Sequence, residues 1–282
     1  MTAAKDDHIL PFTRLISASV IAVLVLAVAA LYLEPDHTDW DFAWTILPRT
    51  SAILIGAGYT AGIYFFARLI MDNKWHRVQA GFLPITAFTI CMFAATLLHW
   101  GRFHQGAIIF YLWTIIYALT PFLVPFVWWR NRATESRDLE ENDLRFSSLA
   151  SWALGIIGVI GMLTFLIVFI QPSILISLAP WKLTELTARI FAGWSILTSS
   201  ALLSIAWDGR WSATRILMES AMVGITLTLL GLPRMWGDFD RTDPMTYFFV
   251  AGLALTLIVF IIIHLWLDRS SQQRNFVKRT TK

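Results

Sequence analysis

Long apolar stretches alternate with short polar connectors along the chain, and eight of the stretches reach membrane-spanning length: approximately 12–33, 44–70, 78–98, 106–129, 146–170, 186–207, 212–232 and 245–267. A hydrocarbon core about 30 Å thick requires roughly 20 apolar residues in helical form. Only helices and closed barrels satisfy every backbone group there. These runs are apolar throughout rather than at every second position, so they predict helices and not barrel strands. The expected fold class is an all-α integral membrane protein with eight transmembrane helices.

A second pattern lies on top of the first. A shift of 136 residues superposes Asp72 on Asp208, Lys74 on Arg210 and Trp75 on Trp211. It also superposes Trp100-Gly101-Arg102-Phe103 on Trp236-Gly237-Asp238-Phe239, and Tyr111 on Tyr247. The pattern predicts two four-helix halves, 1–130 and 146–267, joined by a connector at 131–145 and followed by a basic tail at 268–282. An even number of spans per half makes the two halves parallel, related by an axis along the membrane normal. The mixed charges of the connector suggest a short surface helix. Gly58 and Gly62, and Gly155, Gly158 and Gly161, have the small-residue spacing that lets helices approach in lipid. Pro84, Pro121 and Pro125 each remove a backbone donor from a span, which predicts kinks.

Composition agrees with a membrane protein: 57% of the 282 residues are hydrophobic and only 15% are charged, against about a quarter charged in soluble domains. The formal charge is +3, but the cations cluster at the ends of spans, which serves topology and not nucleic acid. Sixteen lie on the side of the N terminus: Lys5, Arg14, Arg68, Lys74, Arg77, Arg130, Arg132, Arg137, Arg145, Arg210, Arg215, Arg269, Arg274, Lys278, Arg279 and Lys282. Six lie on the other: Arg49, Arg102, Lys182, Arg189, Arg234 and Arg241. The first side, termed inner below, is expected to be cytoplasmic, with both termini on it. Eleven tryptophans, among them Trp40, Trp44, Trp75, Trp100, Trp129, Trp207, Trp211 and Trp266, fall near span ends and are expected to form interfacial belts. Arg14, an apolar run and Ala27-Val28-Ala29 resemble a signal peptide, but Asp6, Asp7 and the matching helix of the second half favour a retained first span. The single Cys91 permits neither an intrachain disulfide nor a cysteine metal cluster.

The runs Phe42-Ala43-Trp44-Thr45-Ile46 through Pro48, Gly56-Ala57-Gly58-Tyr59 and Ala94-Ala95-Thr96-Leu97-Leu98-His99-Trp100-Gly101-Arg102-Phe103-His104 resemble segments of a family of bacterial multi-pass membrane proteins. The resemblance covers mainly the first half, with an echo at Leu183-Thr184-Glu185-Leu186-Thr187-Ala188-Arg189. It implies the fold and a bacterial plasma membrane and carries no chemistry. The position of Gly101 is more often acidic in that family, so a candidate ligand is missing here.

Intramembrane charge marks function by default, because translocon scales put it at about 2.5–3.5 kcal/mol at the bilayer centre. Glu219 is the strongest candidate, two turns inside the seventh span, where the first half has Leu83. It suits either an i, i+4 pair with Arg215 or a proton or cation site, with Ser199 and Ser200 at similar depth. The outer face gathers His37, His99 and His104 with Glu34, Asp36, Asp39, Asp41, Arg49, Glu185 and Arg189. That set suits recognition of an anion by the arginine forks, or an ordinary wet surface in which Asp41 and Glu185 hold Arg49 and Arg189. Its spacing matches no zinc signature, and no metal is expected. His99 and His264 lie at opposite membrane faces and cannot share a haem, so no cofactor is expected. Nucleotide-binding, zinc-protease and serine-hydrolase motifs are missing from the sequence.

Arg49, Arg189, Glu185, Glu219 and His99 are therefore the candidate ligand-binding residues, in a polar pocket expected to open outward between the halves. Three function classes stay open: a membrane accessory or interaction protein with a protein partner in the bilayer, a transporter or binding protein for a small solute or lipid, and a membrane enzyme with an outer site.

Overall fold

The computed structural model describes residues 6–135, 140 and 143–280, with side chains described as far as 271. It is an all-α multi-pass membrane protein, with eight helices long and apolar enough to cross a bilayer. No strand occurs among the described residues. In chain order the helices are α1 (Pro11–Val28), α2 (Thr38–Asp41), α3 (Arg49–Met71), α4 (Phe82–Leu98), α5 (Ile108–Arg132), α6 (Ser148–Ile170), α7 (Ser173–Leu178), α8 (Glu185–Asp208), α9 (Trp211–Met235) and α10 (Pro244–Thr280). The short α2 and α7 lie in outer loops; the rest are the spans. α10 runs on into the 268–282 segment as far as Thr280. The surface helix expected in the connector falls partly on 136–139 and 141–142, outside the described residues.

Local chemistry sets the helix ends. Pro11 opens α1, where the missing N–H has no partner to lose. The hydroxyls of Ser147 and Thr184 accept from the third backbone N–H beyond them and cap α6 and α8. Gly209 ends α8 in the left-handed region at φ +70°, which a side chain would resist. At α3 the same task falls to Arg14, which donates to the carbonyls of Ile70 and Asp72. α1 finishes in a π-helical turn, Ala29–Leu33, whose Tyr32 and Leu33 carbonyls accept from Arg234 on α9. Pro84 lies in the first turn of α4, where it breaks no helical bond, whereas Pro121 and Pro125 lie inside α5.

The spans pack as two rows. One runs α1, α3, α9, α10 and the other α5, α4, α8, α6. Consecutive spans α3 and α4 thus diverge, α3 taking α9 as its main partner and α4 taking α8. The rows meet where Tyr59 on α3 stacks edge-on against Trp194 and its hydroxyl lies 3.0 Å from that of Tyr117. The most apolar spans, α1, α6 and α10, are little buried by protein, while α3, α4 and α8 are the most buried. Lipid solvates the first group, and helices that carry polar groups are drawn inward.

Trp44, Trp75 and Trp211 depart from the expected interfacial belt, because all three are buried. Trp44 lies in an aromatic cluster with Phe42, Phe103 and Trp113. The apolar run at 44–48 is consequently a loop folded onto the core, and α3 begins later than hydropathy predicts. Trp40, Trp100, Trp129, Trp207 and Trp266 are exposed, as a belt requires.

Candidate functional site

Three adjacent helices each carry an i, i+4 pair towards their inner ends: Tyr64 and Arg68 on α3, Arg215 and Glu219 on α9, His264 and Asp268 on α10. Four-residue spacing places both members on one helix face. Because α3 packs on α9 and α9 on α10, the three faces converge.

Glu219 is the centre of the group. Its Oε2 pairs with Arg68 Nη1 and accepts the Tyr64 hydroxyl at 2.7 Å. Its Oε1 accepts from Arg215 Nε at 3.0 Å, the local pair expected from the sequence. Arg215 Nη2 also lies 3.2 Å from Asp268 Oδ2, and Asp268 Oδ1 accepts from Trp211 Nε1 at 3.0 Å. His264 Nε2 stands between the acids, 3.5 Å from Asp268 and 3.9 Å from Glu219, while its Nδ1 is buried without a hydrogen-bond partner. Two guanidinium groups thus share one carboxylate within the span, which offsets the desolvation of all three charges.

Residues of this group line two cavities. On the inner side is a polar cleft of about 380 Å³, lined by Arg68, Lys74, Arg77, Glu140, Arg215 and Asp268 among others. On the other side, between α3 and α9, is a groove of about 550 Å³ lined by Thr60, Tyr64, Glu219, Met222, Val223 and Leu227 among others. Its surface is mainly apolar. Arg68 lines the cleft, Glu219 lines the groove, and the two side chains pair.

The connector forms the far side of the cleft. Glu140 receives a bidentate pair from Arg77 (2.8 and 2.9 Å) and lies 3.4 Å from Lys74 Nζ and 3.0 Å from His76 Nε2. His76 is buried, and its Nδ1 pairs with Asp7. The neighbouring turn is built alike: Arg210 pairs with Asp208 at 2.6 Å, and Asp143 accepts from the Ser212 backbone at 3.0 Å. Burial alone would lower the pKa of His76, but the neighbouring carboxylates of Asp7 and then Glu140 outweigh it and raise the value. His76 in turn, followed by Arg77, holds Glu140 well below its ordinary range against the effect of burial.

These shifts give the connector a pH profile. The histidine contribution is complete below its unfolded value near 6.5 and is lost as pH rises through the higher folded value. The Glu140 contribution is complete above its unfolded value near 4.5 and is lost as pH falls through its depressed value. Protease cleavage within 130–145 is expected to be slowest between those values and to speed up on the alkaline side. His76→Gln should remove the alkaline limb; an unchanged profile in that variant would refute the assignment.

On the outer side three of the predicted residues meet. Arg189 Nη1 donates to His99 Nε2 at 2.6 Å, its Nε donates to the Phe169 carbonyl at 3.0 Å, and Glu185 lies 3.3 Å away. Since a guanidinium only donates, Nε2 accepts and the His99 proton sits on Nδ1. Burial, then the Arg189 charge, lowers the pKa of His99 and keeps it neutral. Arg49 is placed apart from this trio, at the start of α3, where it faces Asp36 at 3.5 Å and not Asp41. His104 is structural, bonded to Thr45 Oγ1 and the Phe42 carbonyl. Ser199 and Ser200 bond back to their own helix and do not reach Glu219. Among the described residues no group of three His, Cys, Asp or Glu could hold a metal. The cleft lies on the inner side of the Glu219 group and the groove runs along the span from it, whereas the sequence predicts a pocket opening outward between Arg49 and Arg189.

Tyr64, Arg68, His264 and Asp268 are the site residues that sequence reasoning missed. Their signal was the repeated four-residue spacing near inner span ends. Comparison with protein families, curated proteins and solved structures finds no match to this chain.

Proposed function

We propose that the protein is a binding protein of the transporter class for an amphiphilic small molecule, acting in a bacterial plasma membrane with its inner side in the cytoplasm. The observation that carries this reading is that Arg68 and Arg215, which line the polar cleft, pair with Glu219, which lines the apolar groove together with Tyr64. A molecule with a polar head and an apolar tail matches that pair of environments. Intramembrane ionisable residues that line a cavity are what substrate pathways use.

We read the two halves as an internal parallel repeat, and this reading sharpens the assignment. Arg49 and Glu185 start α3 and α8 136 residues apart, as Ile108 and Pro244 start α5 and α10. The bridges His8↔Lys74 and Arg145↔Arg210 recur at nearly the same offset. So do the caps of His76 by Asp7 and Ser212 by Asp143. Against that sameness the charged group stands out: Glu219 corresponds to Leu83, Arg68 to Ser204 and His264 to Trp128. A purely structural repeat has no need to carry charge in only one of its two copies.

An accessory role remains the rival, favoured by the pairing of both arginines within the cluster. A photoactivatable fatty-acid probe in lipid vesicles separates the two. Labelling should concentrate at Met222, Val223 and Leu227 and fall severalfold in Val223→Trp, which fills the groove. Uniform labelling of the lipid-facing perimeter, including α6 and α10, would exclude the binding role.

A further inference from the structure

The same group allows the polar head to be identified by its chemistry, and this step rests on the amphiphile reading above. In each arginine or lysine ion pair lining the cleft the cation is more exposed than the acid. Arg68 is 29% exposed against 12% for Glu219, and Arg215 is 44% against 22% for Asp268. The order is the same for Arg77 over Asp72 and for Lys74 over Glu140. The formal charges of the lining balance, four cations against four carboxylates, but the cations are the more exposed members of their pairs. Exposed lysine and arginine heads between spans suit anionic lipid heads.

Glu219 then takes on a specific role. Arg68 and Arg215 approach its two oxygens from two directions, the arrangement a phosphate or carboxylate would receive from paired arginines. The other groups facing it, Tyr64 from α3 and His264 and Asp268 from α10, supply one donor hydroxyl, one imidazole and one further acid. The arginines outnumber the carboxylate directly between them by one. We infer that the cleft binds the phosphate-type head of an anionic amphiphile, and that Glu219 is an internal competitor whose carboxylate occupies Arg68 and Arg215 until the ligand anion replaces it. The tail of the bound molecule lies in the groove between α3 and α9.

The test uses the full-length protein in neutral detergent, with lipid retention measured by native mass spectrometry. The probes are phosphatidic acid, phosphatidylcholine and inorganic phosphate. Phosphatidic acid should be retained over phosphatidylcholine, and Glu219→Gln should raise its affinity about tenfold by releasing both guanidinium groups. Arg215→Gln, which keeps the Arg68–Glu219 pair, should bring phosphatidic acid close to the phosphatidylcholine level. Each variant is checked for monodispersity by size exclusion. If inorganic phosphate displaces phosphatidic acid at millimolar concentration, the anion site stands and the free ion is its source. Equal retention of both lipids in the wild type and both variants would overturn the head-group assignment but leave the groove occupied. Loss of all lipid retention, with uniform photolabelling, would bring down the amphiphile reading itself.

Discussion

Arg68→Ser is expected to lower stability by about 3 kcal/mol, and adding Glu219→Leu to it should recover most of the loss. The single variant leaves the Glu219 carboxylate in the span without its nearest cation, and Arg215, the remaining one, is nearly half exposed. Breaking a buried pair costs roughly 3–5 kcal/mol, while replacing both partners by packed neutral groups is often neutral or favourable. The 29% exposure of Arg68 places the estimate at the low end. Ser and Leu are chosen because Ser204 and Leu83 lie 136 residues from Arg68 and Glu219, on α8 and α4, which pack together without this pair. Thermal unfolding in detergent measures both variants. A double variant as unstable as the single would show that the pair is needed for packing, against its assignment as a functional feature of an otherwise stable scaffold.

Gly56→Ala is expected to cost about 3 kcal/mol or more, whereas Gly62→Ala, six residues further along α3, costs less than about 1 kcal/mol. A Cβ at Gly56 would lie 2.8 Å from Tyr32 Cβ and 2.9 Å from the Tyr32 backbone nitrogen. Backbone cannot rotate away. This segment is also pinned, with the Tyr32 hydroxyl bonded to the Leu227 carbonyl and Arg234 bonded to the carbonyls of Tyr32 and Leu33. At Gly62 the nearest atom is Leu24 Cδ1 at 3.0 Å, the tip of a side chain that can turn. The difference between the two melting temperatures reads the closeness of α1 and α3 directly. Coincident melting would mean that the helices approach each other more loosely at Tyr32.

Both predictions depend on neighbours that the two kinds of sequence signal treat very differently. The Arg215–Glu219 pair was legible because four residues of helix bring two side chains together whatever the rest of the chain does. Arg68 and Tyr64 reach the same carboxylate from more than 150 positions away, and no local rule connects them. Likewise Arg189 and Glu185 were legible as neighbours, but His99 as the acceptor of Arg189 was not. Residue type groups Arg49 and Arg189 as two arginine forks, but Arg49 faces Asp36 while Arg189 faces His99 and Glu185.

The amino-acid sequence by itself determined eight membrane-spanning helices and their approximate ends. Those follow from the length of each apolar run and from the need of every backbone group in hydrocarbon to bond within its own helix. Only the tertiary structure decided that α3 faces α9 and α4 faces α8, and so where Glu219 finds its partners. Lipid solvates apolar helix faces almost as well as protein does, so hydropathy cannot choose among neighbours. The choice was left to the fit of small and large side chains and to a few charges that had to meet.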